Sequence, residues 1–386
     1  MSWNLIAKYI MSRCIHIISH TEHSVGSNNN WYVSTNCTVQ ALTALGYTVV
    51  IHSPPTDMRS FVTAVWLLLK KIRPHDIVYI ISTDIVGYDK FSLLKLFRPT
   101  VRIFWEIHAV EEELLWFTKG YRTVLEVQKN KLLRFFYSRF VSASFCLSKP
   151  LLEYSKTILK IKNSFLISSV VNDTIFGKPS KNIQPRDTFI FSPFKAKKSF
   201  IVYWAGGEMY PWQGLDVIER VAKAVYELDR QIIFVIVGSN MWHTFTFIKN
   251  IVFYSRTTFE NNMKMASLSN VCLALYTENC KRVTGYDFYY SPRKIIEFMA
   301  LGKPVIATKT PEIEHIVKHN SEGYIVNNDP KKIATLILKL KRDSDLALTI
   351  GAAAKRKILH EYRIRNLTDA YERYFKQMEL CIKNAK

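Results

Sequence analysis

Short apolar runs separated by amphipathic stretches recur along this chain, and its two halves open alike. In the first half, RCIHII (13–18) reads as a strand, followed by a polar loop around Gly26 to Asn30, a helical stretch over 31–45 and, after Gly46, the strand YTVVIH. In the second, FIVYWA (200–205), the loop GGEMYPWQG, the helix LDVIERVAKAVYEL and the strand IIFVIVG (232–238) repeat that layout. Strands alternating with helices predict parallel sheets flanked by helices, and strands roughly thirty residues apart suit a βαβ unit. The expectation is therefore α/β, with two Rossmann-like domains and a cleft between them. The boundary is placed in 182–199, where Pro185, Pro193 and clustered lysines interrupt the periodicity, giving domains of 1–190 and 191–365. Residues 366–386 read as a further helix.

Length and composition support two cores: 386 residues with 48% apolar content. Lysine and arginine (53) outnumber aspartate and glutamate (32), for a net charge of +21, which favours polyanionic surroundings such as acidic lipid headgroups, a lipid-diphosphate acceptor or nucleic acid. No recognised nucleic-acid-binding motif accompanies that charge, so nucleic acid is not the expected partner. The six cysteines form no CxxC pair and no regular framework, which reads as reduced residues of a cytosolic protein without structural zinc. FVTAVWLLL (61–69) falls well short of the roughly 20 apolar residues a spanning helix requires. MSWNLIAKYIMSR is too short and interrupted for a signal peptide. Neither loop carries GxGxxG, which argues against a dinucleotide cofactor.

SPRKIIEFMALGKPVIATKTPEIEHIV (291–317) is the most specific stretch. Ser291 suits an N-cap, Pro292 the first helical position and Gly302 the left-handed residue beyond the helix. The amino end of such a helix offers backbone N–H groups and its dipole to a diphosphate, with Glu297 a turn and a half further in to accept ribose hydroxyls. The plain alternative is an i,i+4 solvated salt bridge between Arg293 and Glu297 on an amphipathic surface helix.

The run closely resembles the signature of retaining glycosyltransferases of the GT-B fold, in particular glycosyltransferase family 4, where SPxKxxEyMAxGKPVIAt is a common form. The resemblance implies that Glu297 is the second residue of a Glu-x7-Glu pair and binds the nucleotide ribose. The first position holds Tyr289, where family members contact the transferred hexose through a carboxylate. IVYWAGGEMYPWQGLDVI (201–218) follows the family's strand, glycine loop and helix start, but Glu208 and Gln213 stand where an Arg and a Lys commonly neutralise the leaving diphosphate. Arg293 and Lys294, or Lys281 and Arg282, are the candidate replacements. Tyr290, Ser291, Gly207 and Gly238 complete the implied donor-binding set.

VRIFWEIHAVEEE (101–113) is an apolar strand ending in Glu106 and His108, and strand ends near a topological switch are where ligands bind in such sheets. The resemblance puts His108, with Glu106, at the donor sugar. Gly26 and Ser27 lie in TEHSVGSNNN (21–30), the loop that the resemblance implies approaches donor phosphates and acceptor, with Gly26 allowing close backbone approach. FCLSKPL (145–151) and VVNDTIF (170–176) match two further family elements broadly. The resemblance also implies a last helix crossing back to the first domain.

The expected function is transfer of a hexose from a nucleotide diphosphate sugar to a glycan or lipid-linked acceptor, with retention, no metal and no cofactor beyond the donor. A cytoplasmic location is expected. Residues 119–139 mix cations with Leu, Phe and Tyr, suiting either peripheral contact with an acidic membrane surface or an ordinary surface helix. Two rivals remain: a degenerate glycosyltransferase-like protein that only binds, suggested by Tyr289, Glu208 and Gln213, and a basic nucleic-acid binder.

Overall fold

The computed structural model describes residues 14–19, 30–55, 57–82, 87–113, 121–172, 199–207, 210–238 and 248–384, with positions 115 and 176. Gly26, Ser27, Glu208 and most of the expected boundary, 182–198, lie outside the described residues.

The first sheet contains β1 (Cys14–Ile18), β2 (Thr48–His52), β3 (Ile77–Ser82), β4 (Arg102–Ile107), β5 (Ala143–Cys146) and β6 (Ser164–Leu166). Its order is β2-β1-β3-β4-β5-β6, and every pair is parallel. The central strands read as near-continuous apolar runs because both of their faces are covered, whereas the edge strand β2 is only half-buried. On one face, Ile15, Ile17, Tyr79, Phe104 and Phe145 pack with α1 (Asn30–Ala44). The other face packs against α2 (Met58–Lys71), α3 (Leu94–Phe97), α4 (Tyr121–Ser138) and α5 (Lys149–Thr157).

The second sheet contains β7 (Phe200–Ala205), β8 (Ile232–Val237), β9 (Ile251–Tyr254), β10 (Val271–Ala274), β11 (Val305–Thr308) and β12 (Tyr324–Val326). It is again parallel, in the order β12-β11-β10-β7-β8-β9. Its helices are α6 (Leu215–Leu228), α7 (Phe259–Leu268), α8 (Asn279–Thr284), α9 (Arg293–Ala300), α10 (Pro311–Ile316), α11 (Pro330–Arg342) and α12 (Ser344–Glu361). The last helix, α13 (Ile364–Asn384), returns to the first sheet: Tyr371 and Phe375 join that core, and the Tyr374 hydroxyl donates to the Leu166 carbonyl at 2.7 Å.

Local sequence explains the helix that matters most. α9 ends in a Schellman arrangement, with Gly302 at φ +73° donating to Met299 O and Lys303 N–H donating to Phe298 O. Its start differs from expectation by one residue: Pro292 occupies the cap and Arg293 opens the helix. Ser291 does not cap it. Its hydroxyl instead donates to Ser169 Oγ of the first domain at 2.7 Å, because a cross-domain acceptor lies within reach.

Candidate active site

At the carboxyl end of β4, side chains alternate between the two faces of the sheet, so Trp105 and Ile107 join one core while Phe104 and Glu106 point to the other. Glu106 is only 1% exposed. Its Oε2 accepts from Tyr79 OH (2.6 Å) and Thr38 Oγ1 (3.2 Å), and its Oε1 lies 2.7 Å from His108 Nε2. The Tyr371 hydroxyl of α13 sits 2.7 Å from that of Tyr79 and 3.5 Å from the carboxylate. Burial alone would raise the Glu106 pKa, but the bonds from His108, Tyr79 and Thr38 outweigh it and hold the group below the usual carboxylate range. An ionised Glu106 can only accept, so it takes a hydrogen bond from His108 Nε2–H and fixes the ring. Glu106, expected with His108 at the donor sugar, is thus enclosed by donors of the first domain and bonds to His108.

The chain after His108 is anchored by Arg134 of α4. This buried guanidinium donates from Nη1 to Ala109 O (2.8 Å) and Glu111 Oε1 (3.1 Å), while its Nε lies 2.8 Å from Asp89 Oδ2. The Tyr154 hydroxyl also donates to Glu111 at 2.7 Å, and Lys131 pairs with Glu112 at 2.5 Å. Two of the three consecutive acids are thereby engaged within the first domain. The third, Glu113, reaches across: Tyr289 OH donates to its Oε1 at 2.9 Å.

Tyr289 is fully buried, with its hydroxyl 2.8 Å from that of Tyr290 and its carbonyl accepting from Ser148 Oγ at 2.6 Å. Burial and the Glu113 charge raise both tyrosine pKa values, so both remain protonated donors. Tyr290 stacks on Trp212 with centroids 4.6 Å apart and planes at 10°. Lys149 adds another link between the domains, donating from its backbone to Glu312 and placing Nζ 2.8 Å from His315 Nε2.

The second domain supplies a charged cluster around α9. Glu297 is 6% exposed, and its Oε1 meets Arg293 Nη2 at 3.2 Å and Nε at 3.3 Å. Here burial prevails over the attraction of Arg293 and Lys294, and the Glu297 pKa is raised. Lys294 lies 4.7 Å from the Trp204 ring centroid and 5.3 Å from that of Tyr276, and it donates to Gln213 Oε1 at 2.5 Å. Burial pushes its pKa down to about 7, against the pull of Glu297.

Two glycines let the strand-end loops close around this cluster. Gly238, at φ +90°, would bring a Cβ to 2.3 Å from Gly206 O, and Gly214, at φ +68°, would place one 2.5 Å from Leu275 O. Gly214 then starts α6 directly after the turn that presents Gln213, while Gly207 accepts a turn hydrogen bond from Tyr210 N.

Three groups can be told apart among the expected polar and charged residues around α9. Arg293, Lys294, Glu297 and Gln213 come together. Tyr289 and Ser291 are engaged in cross-domain contacts. Lys281, the other candidate cation, pairs with Asp287 on the surface at 3.0 Å. The Arg293–Glu297 pair is the one an ordinary helix would form, yet it is largely buried rather than solvated. Sequence reasoning missed Glu113 and Arg134; the run Glu111–Glu113 beside a strand end was the available signal. A cavity of about 470 Å³ between Leu166–Val170 and the start of α13 is lined by none of His108, Glu113, Gln213 or Glu297.

Residues 200–343 match the family described as Glycosyl transferases group 1. N-acetyl-alpha-D-glucosaminyl L-malate synthase of Bacillus anthracis is 23% identical over 176 residues, a match spanning 44% of this chain and 44% of that protein. Sucrose-phosphate synthase from Thermosynechococcus elongatus is similar in structure, with a TM-score of 0.69 at 16% identity over 96% of this chain and 100% of that one. Anabaena Alr3699/HepE, solved in complex with UDP and glucose, superposes with a TM-score of 0.64 at 13% identity, covering 95% of this chain and 100% of its own. At such identities the structural likeness speaks to the fold.

Proposed function

We propose that this chain, which has the GT-B fold and a second domain matching group 1 glycosyl transferases, moves a hexose from a nucleotide diphosphate sugar to a glycan or lipid-linked acceptor. The observation that carries the reading is the bond between Glu113 and Tyr289. It joins the segment bearing His108 to the segment bearing Arg293, Lys294 and Glu297, so a donor could span both.

In this reading, Glu297 accepts the ribose hydroxyls. The leaving diphosphate is met by the N–H groups opening α9 together with Lys294 and Arg293, cations placed in advance where charge develops. No metal is called for. His108, its ring fixed by Glu106, orients the sugar. Retention of configuration and the absence of any further cofactor follow the family resemblance. We also place the protein in the cytoplasm, peripherally at a membrane face.

Binding of a nucleotide without turnover is the competing reading, and it draws on the engagement of Tyr289 and Arg293 inside the protein. A thermal-shift screen with UDP, GDP and ADP and their sugars, followed by nucleoside diphosphate release with and without acceptor, separates the two. Transfer predicts release that His108→Ala reduces more than it reduces donor affinity. Binding without any release by the native protein supports the degenerate reading.

A further inference from the structure

Away from the cleft, the outer side of α2 departs from the usual polar pattern. Ala64, Val65 and Leu68 face the sheet, yet Val62, Trp66 and Leu67 are 71%, 55% and 48% exposed. Val62, Trp66 and Lys70 form one i, i+4 row, and Leu67 and Lys71 form the next row on the exposed half of the helix. α3 packs beside it and adds Leu96 and Phe97, 59% and 61% exposed, followed by Arg98. Arg98 Nη2 donates to Leu69 O at 3.4 Å, tying the two helices together. Lys70 Nζ lies 3.2 Å from the Trp66 ring centroid, so cation and indole share one surface. Neither 58–71 nor 94–98 contains an acidic residue.

Single exposed apolar residues are ordinary, but five large ones on adjoining helices form a patch that asks for a partner. We propose that the α2–α3 ridge docks this protein on a lipid bilayer carrying anionic headgroups. Its aliphatic side chains and indole suit the boundary between headgroups and acyl chains, and the lysines and arginine beside them suit acidic phosphates. The charge opposes the alternatives. A second copy meeting the ridge through the same face would set Lys70, Lys71 and Arg98 against their own kind, and a phosphate backbone would leave Val62, Leu96 and Phe97 in water. Among the described residues no helix is long and apolar enough to cross a membrane, so the contact is lateral.

α4 also exposes Val124, Leu125, Leu132 and Phe136, but the exposed Glu126 stands among them, its Lys131 is drawn to Glu112 and its Arg134 is buried, which leaves Arg122 and Lys129 as its outward cations. The ridge deepens the membrane-face location proposed above. Its test uses no donor, so failure of docking and failure of transfer are read apart.

The experiment is co-sedimentation with vesicles of phosphatidylcholine alone and of phosphatidylcholine mixed with phosphatidylglycerol, with gel filtration over a range of concentrations. The native chain is expected to pellet with the anionic vesicles and stay in the supernatant with the neutral ones. The pairs Trp66→Ser/Phe97→Ser and Lys70→Glu/Lys71→Glu are each expected to weaken partitioning about tenfold or more while melting like the native chain. Equal partitioning of the Trp66→Ser/Phe97→Ser protein would overturn the proposal, as would a native chain that ignores anionic vesicles. Loss seen only in Leu132→Ser/Phe136→Ser would move the contact to α4 and also overturn it. A dimer abolished by Trp66→Ser/Phe97→Ser, without vesicle binding, would assign the ridge to a second copy instead.

Discussion

Two buried carboxylates, one in each domain, are both disfavoured by burial and end with opposite shifts. Glu106 is surrounded by donors from Thr38, Tyr79 and His108, with Tyr371 behind them, and its pKa falls. Glu297 meets one guanidinium through one oxygen, with an ammonium nearby, and its pKa rises. What separates them is the set of hydrogen-bond donors aimed at the charge. A carboxylate so fully supplied from within serves architecture, whereas one left short of donors is suited to take them from a ligand.

The strongest challenge to this contrast is Glu106→Ala. Removing one partner of a buried, hydrogen-bonded charge leaves the others unmatched, and a loss of about 3 kcal/mol or more is expected in urea unfolding. The sign with pH follows from the lowered folded value: the contribution is present above the unfolded carboxylate pKa and is lost as pH falls through the folded one. A midpoint that barely moves would put Glu106 in the same class as Glu297.

Glu297→Ala should act on ligand rather than fold. Donor affinity is expected to fall roughly ten- to a hundredfold, about 1.5 to 3 kcal/mol, in calorimetric titrations. Melting should stay close to native, since the substitution also removes a burial cost. Native affinity in this variant would make the carboxylate a buried ion-pair partner of Arg293 and nothing more.

Arg293→Leu sharpens the same point. It removes a cation beside the diphosphate and leaves Glu297 without its main partner, so binding should weaken by on the order of 2 kcal/mol. Gln213→Lys offers itself by sequence as a rescue. Lys294 already donates to Gln213, however, so the added ammonium would face another, and titration of the double variant is expected to show no recovery.

The smallest effect concerns Lys294. Its folded pKa, about 7, lies below the ordinary lysine value, so the folded state disfavours its charge and the stability cost grows as pH falls from about 10.4 toward 7. For a bound diphosphate the direction reverses, because phosphate favours the protonated form. Donor affinity should decline by about tenfold as pH rises from 6 to 8.5, with proton uptake on binding near pH 8, measured in buffers of differing ionisation enthalpy. Lys294→Met should abolish the uptake, and a flat pH profile in the native chain would remove Lys294 from the diphosphate.

Much of the architecture was legible because it is local. FIVYWA and LDVIERVAKAVYEL fall on β7 and α6, Gly302 takes the left-handed position, and Arg293 pairs with Glu297 at i,i+4. Each depends on residues within a turn or a strand, where side-chain periodicity and φ preference leave a readable pattern. Tertiary structure alone decided that Ser291 would bond Ser169 rather than cap its helix, that Glu113 would meet Tyr289, and that Glu106 would be shared by residues as distant as Thr38 and Tyr371. A hydrogen bond between positions 265 residues apart has no period to follow: the donor is chosen by how α13 packs back onto the first sheet, after the chain has folded.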